Sequence, residues 1–200
     1  MAGKADLNPE LLAQRLTPRP AWDEYFMAIA KVISTRSTCS SRPVGCVIVR
    51  DHRILVSGYN GPPSGHPHCT ECGDGHDIFC LRRSGNIPDD KKHEHCPSVH
   101  AEDNAIGLAE TLNVNLEGSS LYITLAPCIR CTELLRKAGV HHVFFELRYQ
   151  SIDPVRDAAW EKEARSWFKT YEEATISKTS LNKMVGALTG ITSERLLPSG

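Results

Sequence analysis

The chain has 200 residues, the size of one domain or slightly more, with 40% hydrophobic and 24% charged residues. This composition is too apolar for a disordered protein. Lysine and arginine number 23 against 24 acidic residues, a formal charge of −1, which argues against a protein that holds long nucleic acid by neutralising phosphates. No apolar run approaches the roughly 20 residues of a membrane span, and the first residues lack a signal-peptide core. We therefore expect a cytoplasmic protein.

Hydrophobic periodicity predicts alternating helices and strands. Apolar residues three or four apart indicate helices, and short β-branched runs indicate strands. After a polar N-terminal arm (residues 1–19), the predicted elements are a helix over 21–35, a hairpin of strands 44–49 and 53–57, a helix ending near 109, a strand over 121–125, a helix over 127–139, a strand over 141–146 and a helix over 154–175. The strand–helix–strand series predicts a right-handed crossover with parallel pairing. The tail from 177 to 200 has no clear pattern.

Cysteine and histidine are concentrated in one part of the chain. Six of the nine histidines and four of the eight cysteines lie between residues 66 and 100. Disulfides are not expected in a reducing compartment, so this clustering indicates zinc ligands. Buried structural thiols are the plainer alternative, and they suit Cys46, which stands alone in an apolar run. Residues 66–97 show no helical or strand period, and a bound metal would order them.

Two short motifs each fall at the start of a predicted helix: His100-Ala-Glu102 and Pro127-Cys128-Ile-Arg-Cys131. His100, Cys128 and Cys131 offer three zinc ligands and leave a fourth position for water, as in catalytic zinc sites. Zinc lowers the pKa of bound water from about 16 to about 7, and Glu102 is placed to move its proton to a leaving group. Either motif alone is weak, because Cys-x-x-Cys also occurs in redox and structural zinc sites. Together they form the signature of zinc nucleobase deaminases.

The chain also resembles a known family well beyond these motifs. It is similar to the deoxycytidylate (dCMP) deaminases, in the cytidine-deaminase-like superfamily, over about residues 20–150. The resembling segments are Trp22–Ala30, Arg36–Cys39, Val44–Val49, Gly58–Gly61, His100–Ile106 and Tyr122–Cys128. The resemblance implies an α/β fold, a three-layer α/β/α sandwich around a mixed five-stranded sheet. We assign residues 20–151 to the deaminase domain and 152–200 to a C-terminal helical extension of uncertain role.

The resemblance also implies roles for individual residues. It makes Glu102 the proton shuttle and His100, Cys128 and Cys131 the ligands of a catalytic Zn²⁺. Asn60 matches a position that contacts the sugar, and the backbone of Ala101 would face the pyrimidine. Arg36 and Tyr149 are candidate phosphate contacts, because each matches a position near the nucleotide. A surface arginine and a packing tyrosine are the plainer interpretations of these two.

Some bacterial and phage members of the family have a second, structural zinc. The resemblance places its ligands at Cys39, Cys69, His93 and Cys96. Four ligands with no open position are typical of a structural site, and such a site would order residues 66–97. Competing ligand sets stay open, since other metal-type side chains lie nearby: Cys72, Cys80, His66, His68, His76 and His95.

In the family, the loop formed here by Gly58, Tyr59, Asn60 and Gly61 lies near an allosteric nucleotide site, where dCTP activates and dTTP inhibits a hexamer. Homo-oligomerisation and dCTP or dTTP control are therefore expectations from the resemblance. The chain departs from the family at Asp103, where relatives usually carry Gln or Leu. It also cannot be aligned beyond Ser151.

The resemblance implies hydrolytic deamination of dCMP to dUMP with release of ammonia, which would supply dUMP for thymidylate synthesis. A deaminase of dCTP or 5-modified dCMP is the alternative within the same class. A catalytically inactive, zinc-stabilised binding module is the alternative from another class, and an intact Glu102 disfavours it. An RNA-editing or tRNA-editing deaminase is disfavoured by the charge of −1 and by the lack of a basic or aromatic stripe.

Overall fold

The computed structural model describes residues 18–70, 80, 96–149 and 153–189. Within these ranges the strands are β1 (Gly45–Arg50), β2 (Arg53–Tyr59), β3 (Ser120–Leu125), β4 (His142–Leu147) and β5 (Thr170–Glu173). The helices are α1 (Trp22–Ser34), α2 (Ala101–Thr111), α3 (Ile129–Lys137), α4 (Pro154–Trp167) and α5 (Lys178–Leu188). No helix in the described ranges is both long enough and apolar enough to cross a bilayer. Most of the predicted N-terminal arm and of the 66–97 loop lies outside the described residues.

The strands form one mixed sheet in the order β2-β1-β3-β4-β5. β1 pairs antiparallel with β2 and β3, whereas β3, β4 and β5 run parallel. Each parallel pair is joined through a helix, α3 or α4, as a crossover requires. The predicted hairpin is confirmed, and its Asp51 and His52 both take positive φ, 51° and 59°. The predicted α/β sandwich with a mixed five-stranded sheet is also confirmed.

Alternate side chains of β1 face the two sides of the sheet. Val47 and Val49 cluster with Phe26 of α1 on one side. Cys46 and Ile48 belong to the larger core on the other side, together with buried residues of α2, α3 and α4. The strand is therefore buried on both faces, which fits its unbroken apolar sequence. The helices α2 and α3, which carry the two sequence motifs, lie on the same face and contact each other.

The C-terminal stretch differs from the prediction. The predicted helix over 154–175 is wrong beyond Trp167, where α4 ends, because Phe168 takes an extended backbone (φ −109°, ψ 150°). Thr170–Glu173 then forms β5 beside β4, with Tyr171 buried in the larger core. The fifth strand thus comes from the stretch assigned to a C-terminal extension, and α5 follows it. The division at residue 151 stays a prediction.

Candidate active site

Two helix N-termini meet at the candidate site. His100 is the N-cap residue of α2 and Cys128 is the N-cap residue of α3, both with extended backbone. Neither side chain makes a capping hydrogen bond to its own helix. Their donor atoms instead come together with the sulfur of Cys131, in the first turn of α3. The two motifs, 28 residues apart, therefore converge on one point in space.

The geometry of these three side chains fits a zinc ion. Their donor atoms all lie within 4.8 Å of one another, the one such group of three or more among the described residues. His100 Nδ1 lies 3.3 Å from Cys131 Sγ and 3.6 Å from Cys128 Sγ. Tetrahedral zinc, with bonds of about 2.0 Å to nitrogen and about 2.3 Å to sulfur, separates such atoms by about 3.5 Å. Three nitrogen and sulfur donors also leave a fourth position open.

The electrostatics of the two cysteines favour a bound cation. The Cys131 thiol donates a hydrogen bond to the Cys128 sulfur, which lowers the pKa of Cys128 and raises that of Cys131. Burial raises the pKa of Cys131 further. Two adjacent sulfurs therefore do not both ionise readily unless a positive charge joins them, and a divalent cation supplies that charge. The N-terminal end of the α3 dipole acts in the same direction.

Glu102 lies beside the three donors and is only 4% exposed. Burial raises the pKa of its carboxyl above the usual value, and the negative charge of Cys128 adds to this effect. The charge of His100 and hydrogen bonds from its own backbone N–H and from Cys131 oppose the rise. A buried carboxyl poised in this way can both accept and donate a proton near neutral pH, as general acid–base catalysis needs.

A comparison with protein families matches this region of the chain. The family model described as "Cytidine and deoxycytidylate deaminase zinc-binding region" matches residues 20–147. The chain belongs to this deaminase family. The resemblance predicted from the sequence motifs is thereby confirmed, and the matched range contains the three donors and Glu102.

Individual relatives agree with this membership. A deoxycytidylate deaminase of Mycobacterium phage D29 is 37% identical over 131 residues, 64% of this chain and 95% of the phage protein. A deoxycytidylate deaminase of Schizosaccharomyces pombe is 36% identical over 147 residues, 73% of this chain. The chain spans only 42% of that yeast protein's length. The crystal structure of the dCMP deaminase from cyanophage S-TIM5 in apo form matches with a TM-score of 0.56 and 24% identity, over 78% of this chain and 100% of the phage chain. That likeness shows the fold alone.

Asn60 is a buried hydrogen-bonding residue, 8% exposed. Its Oδ1 accepts hydrogen bonds from the Val44 N–H (2.8 Å) and the Ser37 hydroxyl (2.7 Å), and its Nδ2 donates to the Arg42 carbonyl (3.0 Å). The side chain therefore ties the segment before β1 to the end of β2. The predicted contact of Asn60 with a sugar stays a prediction beside this structural role.

The segment Gly58–Gly61 lies next to the metal donors, and the prediction that all of it is a loop is wrong, because Gly58 and Tyr59 pair with β1 as the end of β2. Gly61 forms an isolated β-bridge with Val99, the residue before His100. The Asn104 side chain of α2 donates to the Tyr59 carbonyl at 2.8 Å. The segment is therefore fixed to the start of α2, and its predicted effector role stays a prediction.

The two candidate phosphate residues lie in different surroundings. Arg36 is exposed just after α1, whereas Tyr149 is half-buried against the larger core. The Arg42 guanidinium lies 6.0 Å from the centre of the Tyr149 ring. Sequence reasoning missed Arg42. Its position in the loop before β1 was the available signal, because ligand-binding residues are often found in such loops.

Asp103 links the two motif helices at the surface. Its Oδ2 lies 3.3 Å from Arg130, in the first turn of α3. Both side chains are substantially exposed, so solvent screens the pair and its contribution to stability is small.

The second zinc site stays a prediction. Cys69 is buried and Cys39 and Cys96 are half-buried, whereas His93 lies outside the described residues. Among the described side chains, the three cysteines do not form a group as tight as that around His100. The competing ligands Cys72, His76 and His95 also lie outside the described residues.

Proposed function

We propose that this chain hydrolyses dCMP to dUMP and ammonia and so supplies dUMP for thymidylate synthesis. The observation that carries the proposal is the buried carboxyl of Glu102 beside the open three-donor group of His100, Cys128 and Cys131. Relatives named deoxycytidylate deaminase support dCMP as the substrate, above all the phage D29 protein, of which the chain covers 95%.

The proposed reaction consumes one water and returns Glu102 to its starting state. Zinc, when bound, supplies a Lewis acid that makes a water molecule acidic near neutral pH. Glu102 takes a proton from the water that attacks C4 of cytosine and delivers it to N3. It then takes the remaining proton from the new C4 hydroxyl and delivers it to the departing amino nitrogen. The C4–N bond breaks, ammonia leaves, and the water oxygen becomes O4 of uracil. The raised pKa of Glu102 suits both halves of this transfer.

We propose separate contacts for the three parts of the substrate: the base, the sugar and the phosphate. We assign the pyrimidine to the backbone of Ala101, the sugar to Asn60 and the phosphate to Arg36 and Tyr149. The Arg42 guanidinium over the Tyr149 ring supports a cationic environment for the phosphate. The contacts of Arg36 and Tyr149 are the ones that would distinguish dCMP from deoxycytidine, which lacks the phosphate.

A substrate panel tests the proposed activity. The zinc-loaded protein is incubated with dCMP, CMP, dCTP, 5-methyl-dCMP and deoxycytidine, and the change in cytosine absorbance is followed. We expect dCMP to give the highest kcat/KM, and Glu102→Gln to lower kcat at least about 100-fold with zinc retained. A preference for dCTP or 5-methyl-dCMP would select the alternative deaminase. No turnover of any of the five would favour the binding module, and equal activity of Glu102→Gln would remove the proton shuttle.

We also propose a second, structural zinc held by Cys39, Cys69, His93 and Cys96. Three of these ligands are cysteines, whose thiolates suit a closed zinc site in the reducing cytoplasm, where we place the protein. Metal analysis should give two zinc ions per chain in the wild type and one in Cys96→Ser, while the remaining zinc still supports Glu102-dependent turnover. One zinc in the wild type would contradict this site.

Effector control and assembly are proposed from the resemblance. We propose a homo-oligomer, a hexamer as in regulated family members, in which the Gly58–Gly61 loop lies near a site for dCTP or dTTP. The contacts of this segment with Val99 and Asn104 support coupling between nucleotide binding at Gly58–Gly61 and the position of α2. Light scattering and dCMP kinetics with dCTP or dTTP test it. A monomer, or kinetics unchanged by either nucleotide, would contradict it.

A further inference from the structure

Cys46 is a buried thiol that belongs to neither proposed zinc site. It lies in β1 with no exposed surface. Its Sγ donates a hydrogen bond to the carbonyl oxygen of Ala101, 3.4 Å away in the first turn of α2. Gly58, its partner across the hairpin, directs its backbone N–H to the same sulfur. The thiol thus accepts a hydrogen bond from Gly58 in β2 and donates one to Ala101 in α2.

The surroundings keep this thiol protonated, so that it can donate. Burial raises the pKa of Cys46 well above its usual value, and the nearby charge of Glu102 raises it further. A carbonyl oxygen has two lone pairs, so the Ala101 oxygen can accept the thiol hydrogen as well as the helical N–H.

Gly58 allows this close approach of helix and sheet. A Cβ atom at position 58 would clash with the Ala101 carbonyl oxygen and would lie only 2.8 Å from the Ala105 nitrogen. The Ala101 carbonyl therefore rests directly on the Cys46–Gly58 pair, which we call the Ala101 seat. The seat is built from the two strands and not from either sequence motif.

The seat acts on the peptide that precedes Glu102. The carbonyl of Ala101 and the N–H of Glu102 belong to one planar peptide unit, so fixing one fixes the other. That N–H donates a hydrogen bond to the Glu102 carboxylate itself. We infer that Cys46 is a positioning residue: its hydrogen bond to Ala101 sets the plane of this peptide and thereby the direction of the Glu102 carboxylate.

This inference deepens the proposed function and rests on it for its kinetic test. Cys46→Ala removes the donor, and we expect kcat for dCMP to fall about three- to tenfold, the effect of one neutral hydrogen bond. Zinc content should stay within about twofold of the wild type, because Cys46 touches no metal donor. KM should change less than kcat, because the phosphate contacts lie away from the seat. Cys46→Ser supplies a hydroxyl donor of similar size and should return kcat to within about twofold.

Ile48→Val is the matched control. It removes one methylene from the same strand and the same buried core without touching a hydrogen bond to α2. It should lower thermal stability as Cys46→Ala does while leaving kcat unchanged. An equal fall of kcat in Ile48→Val and Cys46→Ala would overturn the inference, as would a failure of Cys46→Ser to restore kcat.

A second measurement does not depend on activity. The backbone amide of Glu102 is followed by ¹H–¹⁵N NMR and hydrogen exchange in the zinc-loaded protein. Cys46→Ala should shift its resonance and speed its exchange about three- to tenfold, whereas Cys46→Ser and Ile48→Val should not. If the wild type deaminates none of the nucleotides, the proposed function fails and this amide measurement alone decides the inference. An unchanged Glu102 amide in Cys46→Ala would overturn it.

Discussion

The carboxylate of Glu24 in α1 accepts a 2.9 Å hydrogen bond from the backbone N–H of Ser177, the N-cap residue of α5, 153 positions along the chain. The same carboxylate accepts from the Ser180 hydroxyl at 2.7 Å and from the Ala21 N–H at 2.9 Å. Hydrogen bonds from Ser177 and Ser180 are the main reason that the pKa of Glu24 falls to about 2 from its ordinary 4.5. One charged group therefore fastens the last described helix to the first.

We expect Glu24→Gln to lower the free energy of unfolding by about 1 kcal/mol near neutral pH, because glutamine keeps the shape but loses the charge. A carboxylate with a lowered pKa stabilises the fold only while it is ionised. The difference between wild type and variant should thus be full above about pH 4.5 and shrink as the pH falls toward about 2.

Urea unfolding at several pH values between about 7 and 3.5 measures this difference. Glu110→Gln, at an exposed position of α2, is the control and should show no comparable loss at neutral pH. A Glu24→Gln effect that stays constant across this range would contradict a role for the charge.

The contact between α1 and β1 depends on a glycine. A Cβ atom at position 45 would clash with backbone atoms of Ala30 and Ser34 in α1, none of which can rotate away. We expect Gly45→Ala to cost about 2 kcal/mol or more, because the helix must move off the sheet. Gly107→Ala is the control: a Cβ there meets open space within a helix, so stability should rise by up to about 1 kcal/mol. Chemical unfolding of both variants checks the prediction, and equal effects would refute it.

The buried hydrogen bonds of Asn60 lead us to predict an effect on stability that does not depend on substrate binding. Asn60→Ala removes three hydrogen bonds and leaves the buried Val44 N–H without its partner, so we expect a loss of about 3 kcal/mol. Ser37→Ala removes a half-buried hydroxyl that donates to Asn60 and accepts from the Cys39 N–H, but it leaves the buried Val44 N–H paired with Asn60, so we expect a cost of only about 1 kcal/mol. Thermal unfolding of the two variants measures the difference. Equal losses would show that the Asn60 side chain does not organise this loop.

The fold and the site were predictable where their determinants are local in sequence. The helix over 21–35 and the hairpin carry complete periodic patterns, and the structure contains both. His100 and Glu102 are two positions apart, and Cys128 and Cys131 are three apart, so the short motifs already contain the group that the structure brings together.

What the sequence could not predict depends on partners far along the chain. The strand β5 has only four residues, and its pairing with β4 includes Tyr171 opposite Val143, so local pattern alone extended the preceding helix through it. In the sequence, Cys46 cannot be told from the other apolar residues of its strand. Its hydrogen bond to Ala101, 55 positions later, is apparent only in the fold. Arg42 has a loop position as its one sequence signal, and its neighbour Tyr149 becomes apparent only in the fold.

Metal removal tests the three-donor group directly. Because zinc binds the folded site and not the unfolded chain, a zinc concentration about 1,000 times Kd should add about 4 kcal/mol to the free energy of unfolding. Dialysis against a strong chelator should therefore lower the unfolding temperature and abolish turnover of dCMP, and added Zn²⁺ should restore both. Cys131→Ser should bind one zinc fewer per chain, because a hydroxyl is a poor substitute for thiolate at a soft site.

Thr132→Ser is the control for this variant. Thr132 is buried next to Cys131, and its hydroxyl donates to the Cys128 carbonyl at 2.9 Å, a bond that serine keeps. The control should retain the full zinc content and the full response to chelator, because it changes packing in α3 without changing a donor atom. Zinc content unchanged in Cys131→Ser would mean that the metal is bound elsewhere, and the open coordination position beside Glu102 would then have no basis.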